Sequence, residues 1–361
     1  MIVIMSGLNK IRIGIIGAGN IGNVHMHEFG KLTEECEITT ITDVALSLAE
    51  KRAQEHGIPH VAKSPEALIA SDQVDAVIIG VPNAFHADLA VQALEAGKHV
   101  LIEKPMGISG DAARQIVSAQ KKSGKTVMVS HQMRWEWLPL QVKKQIDAGE
   151  LGQIYAAKTG WFRRKGIPGW GTWFTRMDQA GGGPLIDIGV HMLDLTLHLM
   201  GSPTPVSVSG STYAEFGPKR KGIGTWGTPN WDGKYDVEDL AMAIIKLDNG
   251  STLTLDVTWA VHMDTDNQPF VHLMGTEGGA SLKGDKGKWL TEKFDQPLER
   301  ELITPANDEG GRIRLSRHFL ECIREGKEPI SSARSGLINN LIIDAIYESS
   351  KTGREILIKV E

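Results

Sequence analysis

The stretch Ile11–Gly22, Ile-Arg-Ile-Gly-Ile-Ile-Gly-Ala-Gly-Asn-Ile-Gly, sets the first constraint on the fold. Ile11, Ile13, Ile15 and Ile16 form a short β-branched run with the composition of a buried strand. It leads straight into Gly17-Ala18-Gly19-Asn20-Ile21-Gly22, a G-x-G-x-x-G turn. Gly17 permits the tight turn, Gly19 admits a pyrophosphate close to the backbone, and Gly22 lets the following helix pack on the sheet. The free N–H groups where that helix begins suit a phosphate. Gly17, Gly19, Asn20, Ile21 and Gly22 are therefore candidate contacts for a dinucleotide. A second strand, Ile38–Thr42, ends at Asp43, about 20 residues past the last glycine, where a carboxylate accepts from an adenosine ribose. Asp43 would repel a 2′-phosphate, and Val44-Ala45 follow it with no arginine, so NAD is expected in preference to NADP.

The first third of the chain alternates strand and helix signals, which predicts a parallel sheet. Helices are expected over Asn20–Leu32, Leu46–His56, Ala84–Ala96 and Gly110–Ser123. Strands are expected over Asp75–Val81, His99–Ile102 and Thr126–Val129. Such a doubly wound domain opens its ligand crevice at the carboxyl ends of its strands. Asp43, Val81-Pro82-Asn83, Glu103-Lys104-Pro105 and Ser130-His131-Gln132 all fall at such ends.

The pattern changes near residue 131. One more helix, Pro139–Ala148, is followed by longer strand-like runs: Ile154–Phe162, Val206–Tyr213, Leu240–Leu247, Thr252–Trp259 and Phe270–Met274. Asp248-Asn249-Gly250 reads as a hairpin turn. Helices near Ile313–Arg324 and Ala333–Ser350 precede a last strand, Glu355–Val360. The expected fold is α/β: an N-terminal doubly wound Rossmann domain, 1–130, and a C-terminal α+β domain, 131–361. The last helix is free to pack back on the first domain. Phe216–Asp236, rich in Gly, Pro and Trp, reads as a long loop.

At 361 residues two domains are natural. A net charge of −5 argues against a general nucleic-acid binder. No apolar run is long enough to span a bilayer, and Met1–Met5 is too short for a signal segment. Cys36 and Cys322 form no C-x-x-C motif, which fits a cytoplasmic protein.

Two stretches carry further chemistry. Lys104, after a buried strand, can aim a cation at a substrate oxygen; the plain alternative is a surface lysine before a turn-forming proline. In Gly181-Gly182-Gly183-Pro184-Leu185-Ile186-Asp187-Ile188-Gly189-Val190-His191, the glycines allow close approach. Asp187 and His191, four apart, share a helical face. A histidine in a first helical turn tends to stay neutral and can take a proton from an alcohol. The alternatives are a core histidine or a metal ligand with Asp194 and His198; no metal is the expected outcome. His262, Asp264 and Asp266 read first as a solvated loop and second as a substrate contact. Trp161, Trp170, Trp173, Trp226, Trp231 and Trp259 serve either packing or sugar stacking. Gly169–Phe174 is the best candidate for a stacking loop.

With these residues in hand, the chain resembles the glucose–fructose oxidoreductase and inositol dehydrogenase family, Gfo/Idh/MocA. The resemblance rests on the glycine turn, Pro82-Asn83 with His86, Glu103-Lys104-Pro105 and the Gly181–Asp194 block. It continues through Gly275-Thr276-Glu277-Gly278 and the tail Ala345–Gly353. It implies a C-terminal domain with a large open-faced, mainly antiparallel sheet that pairs with another subunit, giving a homodimer or homotetramer. It also implies hydride transfer between NAD(P) and a carbinol carbon of a sugar, a sugar derivative or an inositol-like cyclic polyol. Lys104, Asp187 and His191 would be catalytic, with His191 the general acid/base. Val81, Pro82, Asn83, His86, Glu103, Lys104 and Gln132 would join Asp43 and the glycine turn on the cofactor. Arg134, Arg163 and Trp173 would join Lys104, Asp187 and His191 on the substrate. The Lys104–Pro105 bond would be cis. Trp170–Trp173 and the loop Phe216–Asp236 are not general features of the family. The alternatives are an NAD-dependent glycoside hydrolase working by transient ring oxidation and a non-catalytic NAD- or sugar-binding regulator.

Overall fold

The computed structural model describes residues 10–360, so Met1–Met5 lies outside the described residues. The isoleucine run forms β1 (Ile11–Ile16), which passes through the glycine turn into α1 (Asn20–Phe29). There follow β2 (Cys36–Thr42), α2 (Leu46–His56), β3 (His60–Val61), α3 (Pro65–Ile69) and β4 (Ala76–Ile79). Then come α4 (His86–Glu95), β5 (His99–Ile102), α5 (Gly110–Ser123) and β6 (Val127–Val129). The sheet order is β3-β2-β1-β4-β5-β6, and every pairing is parallel. β4 and β6 are buried throughout and β5 is buried from Val100 on, as strands covered on both faces must be.

The order reverses between β1 and β4, and the glycine turn sits at that switch point. Gly17 has φ +105°, and a Cβ there would lie 2.3 Å from the Gly80 carbonyl at the end of β4. A Cβ on Gly22 would lie 1.9 Å from the Gly17 carbonyl, so only glycine lets α1 start so close to β1. The expected helix Asn20–Leu32 ends earlier, at Phe29, with Gly30 after it.

The second half begins with α6 (Trp137–Asp147) and β7 (Ile154–Phe162). A short turn of helix, α7 (Met177–Ala180), precedes a π-helical stretch, Leu185–Gly189, that runs on into α8 (Val190–Leu199). The strands β8 (Pro205–Tyr213), β9 (Leu240–Leu247), β10 (Thr252–Thr258) and β11 (Gln268–Gly275) lie close to their expected spans. Three further strands, β12 (Gly279–Lys283), β13 (Lys286–Lys293) and β14 (Gln296–Leu302), extend the sheet where no strand was expected. β14 is exposed along nearly its whole length, so no buried face imposes an alternating pattern on its sequence.

After these come α9 (Gly311–Glu325), α10 (Ala333–Thr352) and the short β15 (Ile356–Leu357). The nine-stranded sheet runs β14-β13-β12-β11-β7-β10-β9-β8-β15, and only β7–β10 is parallel. Leu253, Leu255, Val257, Ala243, Ile245, Val271 and Leu273 share one core with the almost wholly buried α8. On the opposite face Tyr213, Met242 and Ile244 are exposed.

α9 and α10 return to the parallel sheet. Phe319 of α9 meets Phe29 of α1 edge to face at 6.5 Å. Ala333 and Leu337 of α10 join the core of β4, β5 and β6. Met128 bridges to Ser332, and Ser331 Oγ donates to the Val129 carbonyl at 2.8 Å.

Candidate active site

The site is assembled where β5 ends. Glu103 is buried against His25 at 2.8 Å and accepts from the Lys104 amide at 3.2 Å. Burial opposes charge on Glu103, but the His25 contact outweighs it and holds the carboxyl well below the usual range. The following peptide, Lys104–Pro105, is cis. The Lys104 side chain crosses to the second half of the chain. Its Nζ donates to the Asp187 carbonyl at 2.8 Å and to Asp187 Oδ1 at 3.0 Å.

The π-helical stretch carries Asp187, and the glycines before it allow a specific anchor. A Cβ on Gly183 would lie 2.0 Å from the Glu238 carbonyl. The Glu238 carboxylate accepts from the Gly183 amide and the Leu185 amide, both at 3.0 Å, and from Tyr347 Oη at 2.9 Å. It thus satisfies amides that the start of the helix would leave without partners. The other Asp187 oxygen, Oδ2, accepts from Trp259 Nε1 at 3.0 Å. Trp259, fully buried, is a positioning residue rather than a sugar platform. Burial would raise the Asp187 carboxyl; Lys104, Arg163 and the Trp259 hydrogen bond together bring it below its ordinary value.

His191 is 8% exposed and tilts against Trp161 at 6.5 Å. Because the helical run starts at Leu185, His191 lies beyond its first turn, and the dipole argument made from sequence does not apply. Burial comes first in holding His191 well below the ordinary histidine value, with the Lys104 charge next. The imidazole is neutral near pH 7 on that ground. Among the described residues no hydrogen bond joins Asp187 to His191; both Asp187 oxygens are engaged by Lys104 and Trp259.

Lys104, Asp187 and His191 line one cavity of about 1340 Å³, which Gly17, Gly19, Asn20, Ile21 and Asp43 also line. Val81, Pro82, Asn83, Glu103, Gln132, Arg163 and Trp173 border it too. A Cβ on Gly19 would meet nothing within 4 Å, so the backbone there is open to an incoming group. Asp43 Oδ2 accepts from the Ala18 amide at 2.7 Å and Oδ1 from the Ala45 amide at 2.8 Å. These bonds aim an ionised acceptor into the crevice while leaving lone pairs for a diol. The residues present fit a dinucleotide.

Three expectations are corrected. Arg134 is not at the cavity. Its Nε and Nη2 grip Asp194 at 2.6 and 2.5 Å inside the protein, and Nη1 donates to the Ile330 carbonyl. His86 is fully buried, with both ring nitrogens on the carbonyls of Pro105 and Val81, so it shapes the crevice without facing it. Gly22 serves helix packing against Gly17 rather than contact with a ligand. The same Asp194 oxygens, held by Arg134 and Asn339, remove the metal alternative. Among the described residues no three His, Cys, Asp or Glu side chains are grouped to hold a metal ion. No helix among the described residues is long and apolar enough to cross a membrane.

Asp266, of the cluster first read as a solvated loop, lines the cavity. Two further lining residues carried no sequence signal: Arg312, at the start of α9, and Asn267, in the loop after β10. Trp170 is buried rather than free to stack on a ligand.

Such a fold and site define a nicotinamide-dependent oxidoreductase. Residues 11–131 match the family described as "Oxidoreductase family, NAD-binding Rossmann fold", and residues 139–281 match the "GFO/IDH/MocA C-terminal domain". The chain belongs to the Gfo/Idh/MocA oxidoreductase family. It is 31% identical to D-glucoside 3-dehydrogenase of Escherichia coli K12, over 96% of this chain and 97% of that protein. It is 25% identical to the NAD(+) scyllo-inositol 2-dehydrogenase of Bacillus subtilis 168, over 98% of both chains. In fold it is similar to levoglucosan dehydrogenase solved with NADH and levoglucosan. The TM-score there is 0.87 at 24% identity, with 97% of this chain and 100% of that one covered.

Arg134→Met leaves Asp194 buried without its cation, which typically costs about 3–5 kcal/mol. Chemical denaturation is expected to show a loss of that order, with KM for any turned-over sugar changed little in the protein that remains folded. A raised KM with unchanged stability would return Arg134 to the substrate.

Proposed function

We propose that this protein is an NAD-dependent dehydrogenase that oxidises a secondary ring hydroxyl of a sugar, a glucoside or a cyclic polyol. The observation that carries this reading is the Lys104 ammonium held on Asp187 in the cavity that His191 and the glycine turn also line. Its similarity to D-glucoside 3-dehydrogenase supports pyranosides as the first substrates to test.

The glycine turn would hold the pyrophosphate of NAD and Asp43 its adenosine ribose. NAD, when bound, supplies the hydride acceptor. The chain's own residues manage the proton and the charge. Nδ1 of His191 is buried without a partner, which leaves Nε2 as the nitrogen available to the cavity. Carrying its hydrogen on Nδ1, the neutral ring accepts the hydroxyl proton at Nε2. Lys104 stabilises the oxygen as negative charge develops there. Asp187 keeps the ammonium in place, and Trp259 keeps Asp187 from rotating.

With NAD present, a panel of glucosides, aldoses and inositols is expected to yield NADH with at least one member. Lys104→Ala and His191→Ala should each cut kcat by at least ~10²-fold with NADH affinity little changed. Wild-type-like turnover in both variants would sink the assignment. Aglycone release without NADH accumulation would instead place the protein among NAD-dependent glycoside hydrolases.

The base must be unprotonated to work. His191 is held below the ordinary value of about 6.5, so the acid limb of kcat/KM should fall below that pH. Lys104→Met removes a neighbouring cation and should move the limb to higher pH. A limb that stays in place would mean another group is titrating.

Asp43, oriented at the crevice by two amides, disfavours a 2′-phosphate. Fluorescence titration is expected to give tighter binding of NADH than of NADPH, and the reverse order would overturn the preference.

Tyr213, Met242 and Ile244, exposed on the outer face of the nine-stranded sheet, are assigned to pairing with a second copy. Light scattering should report a dimer or tetramer, whose dissociation by Ile244→Lys would locate the contact. A monomeric wild type would refute it.

A further inference from the structure

A second group of aromatic rings lines the cavity apart from the proton-transfer residues. Trp173 and Phe174 come from the segment after β7, and Trp226 from the long segment between β8 and β9. The Trp173 and Phe174 rings lie 3.7 Å apart, and Phe174 meets Trp226 edge to face at 4.7 Å. Trp226 is nevertheless 52% exposed, which is costly for an indole that only packs.

This wall is held rigidly from behind. The Gly169 amide donates to the Trp226 carbonyl at 2.9 Å, and the Asn230 amide to the Trp170 carbonyl at 2.7 Å. Ile167 bridges to Ile223. A Cβ on Gly171 would lie 1.9 Å from the Asn230 carbonyl, so the two segments are as close as backbones allow. Trp170 is the bolt: its Nε1 donates to the Gly217 carbonyl at 2.7 Å, and its ring stacks on Trp231 and Tyr235. Arg220 lies over the same ring at 4.9 Å. A preformed aromatic surface binds with little further ordering of its side chains.

We infer that Trp173, Phe174 and Trp226 form a subsite for a second ring, joined through the glycosidic oxygen to the sugar being oxidised. The substrate class is then a glycoside or disaccharide rather than a free monosaccharide. An aryl aglycone and a pyranose offer the same chemistry to an indole, a flat apolar face. Lys165 and Asp266, at the same cavity, supply polar partners for hydroxyls at the edge of that ring. This inference rests on the proposed sugar-dehydrogenase reading and adds the identity of the group beyond the reacting ring.

The test uses the NAD-loaded enzyme and three ligands: methyl glucoside, phenyl glucoside and cellobiose. Tryptophan fluorescence titration reads binding without turnover. Phenyl glucoside, cellobiose or both should bind wild type about tenfold tighter than methyl glucoside, and the tighter one names the second ring. Trp226→Ala should collapse that ratio to near one, and Trp226→Phe should restore most of it. Equal affinities in wild type, or a ratio unchanged in Trp226→Ala, would overturn the subsite. NADH formation, followed in parallel, bears on the dehydrogenase reading alone. A preserved ratio without NADH leaves the subsite standing and removes the reaction, and NADH formed with equal affinities does the opposite.

Discussion

The contact between Lys104 and Asp187 is what makes one site out of two halves. Lys104 stands at the end of a strand of the parallel sheet, and Asp187 on a helical turn 83 positions later. Their side chains are each 18% exposed, so the pair is partly shielded from water without being sealed from a ligand. A buried pair pays a large desolvation cost unless its remaining valences are met. Here they are met by the Asp187 carbonyl on the lysine and by the Trp259 indole on the carboxylate. The geometry is thereby set before any ligand arrives, which is the condition for electrostatic stabilisation of a developing charge.

Helix α10 supplies much of the support behind that contact. Asn339 donates to Asp194 and Asn340 to the Gly107 carbonyl. Asp344 accepts from the Gly110 amide at the start of α5, and Tyr347 donates to Glu238. These polar groups lie on one helix, yet they reach both the parallel sheet's helices and the glycine-rich turn before Asp187. Asn340 and Asp344 satisfy backbone groups of the parallel domain, while Asn339 and Tyr347 add a donor to carboxylates already held by Arg134 and by two amides. The relative placement of Lys104 and Asp187 therefore depends on a helix that touches neither.

What could be read from the sequence follows from how local each signal is. The glycine turn and Asp43 were legible because a β-branched strand, three glycines and an acid at fixed offsets have few other structural uses. Lys104 and Asp187 stood beside strand-end and glycine signals. Arg134 was misplaced because its partner, Asp194, is 60 residues away and no spacing rule reveals it. His86 was misplaced because its ring nitrogens are taken by backbone carbonyls, which have no sequence identity. Glu238 and Trp259 were missed as positioning groups for the same reason: their roles are long-range. β14 escaped because a wet strand carries little period-two pattern, and in β12 and β13 the alternation is brief, with Ala280 and Leu282 buried in one and Gly287 and Trp289 in the other.

Lys104 also resolves a conflict that a dehydrogenase of this kind faces. The Asp187 carboxyl is held below its ordinary value although burial favours its neutral form. The His191 imidazole is held neutral, with burial acting first. A single ammonium serves both needs, since its charge lowers the Asp187 carboxyl and the His191 imidazolium alike. Burial acts with it on the histidine and against it on the aspartate, where Arg163 and the Trp259 hydrogen bond act on the lysine's side. An uncharged side chain of the same length at position 104 would leave Arg163 and Trp259 alone to hold the Asp187 carboxyl against burial.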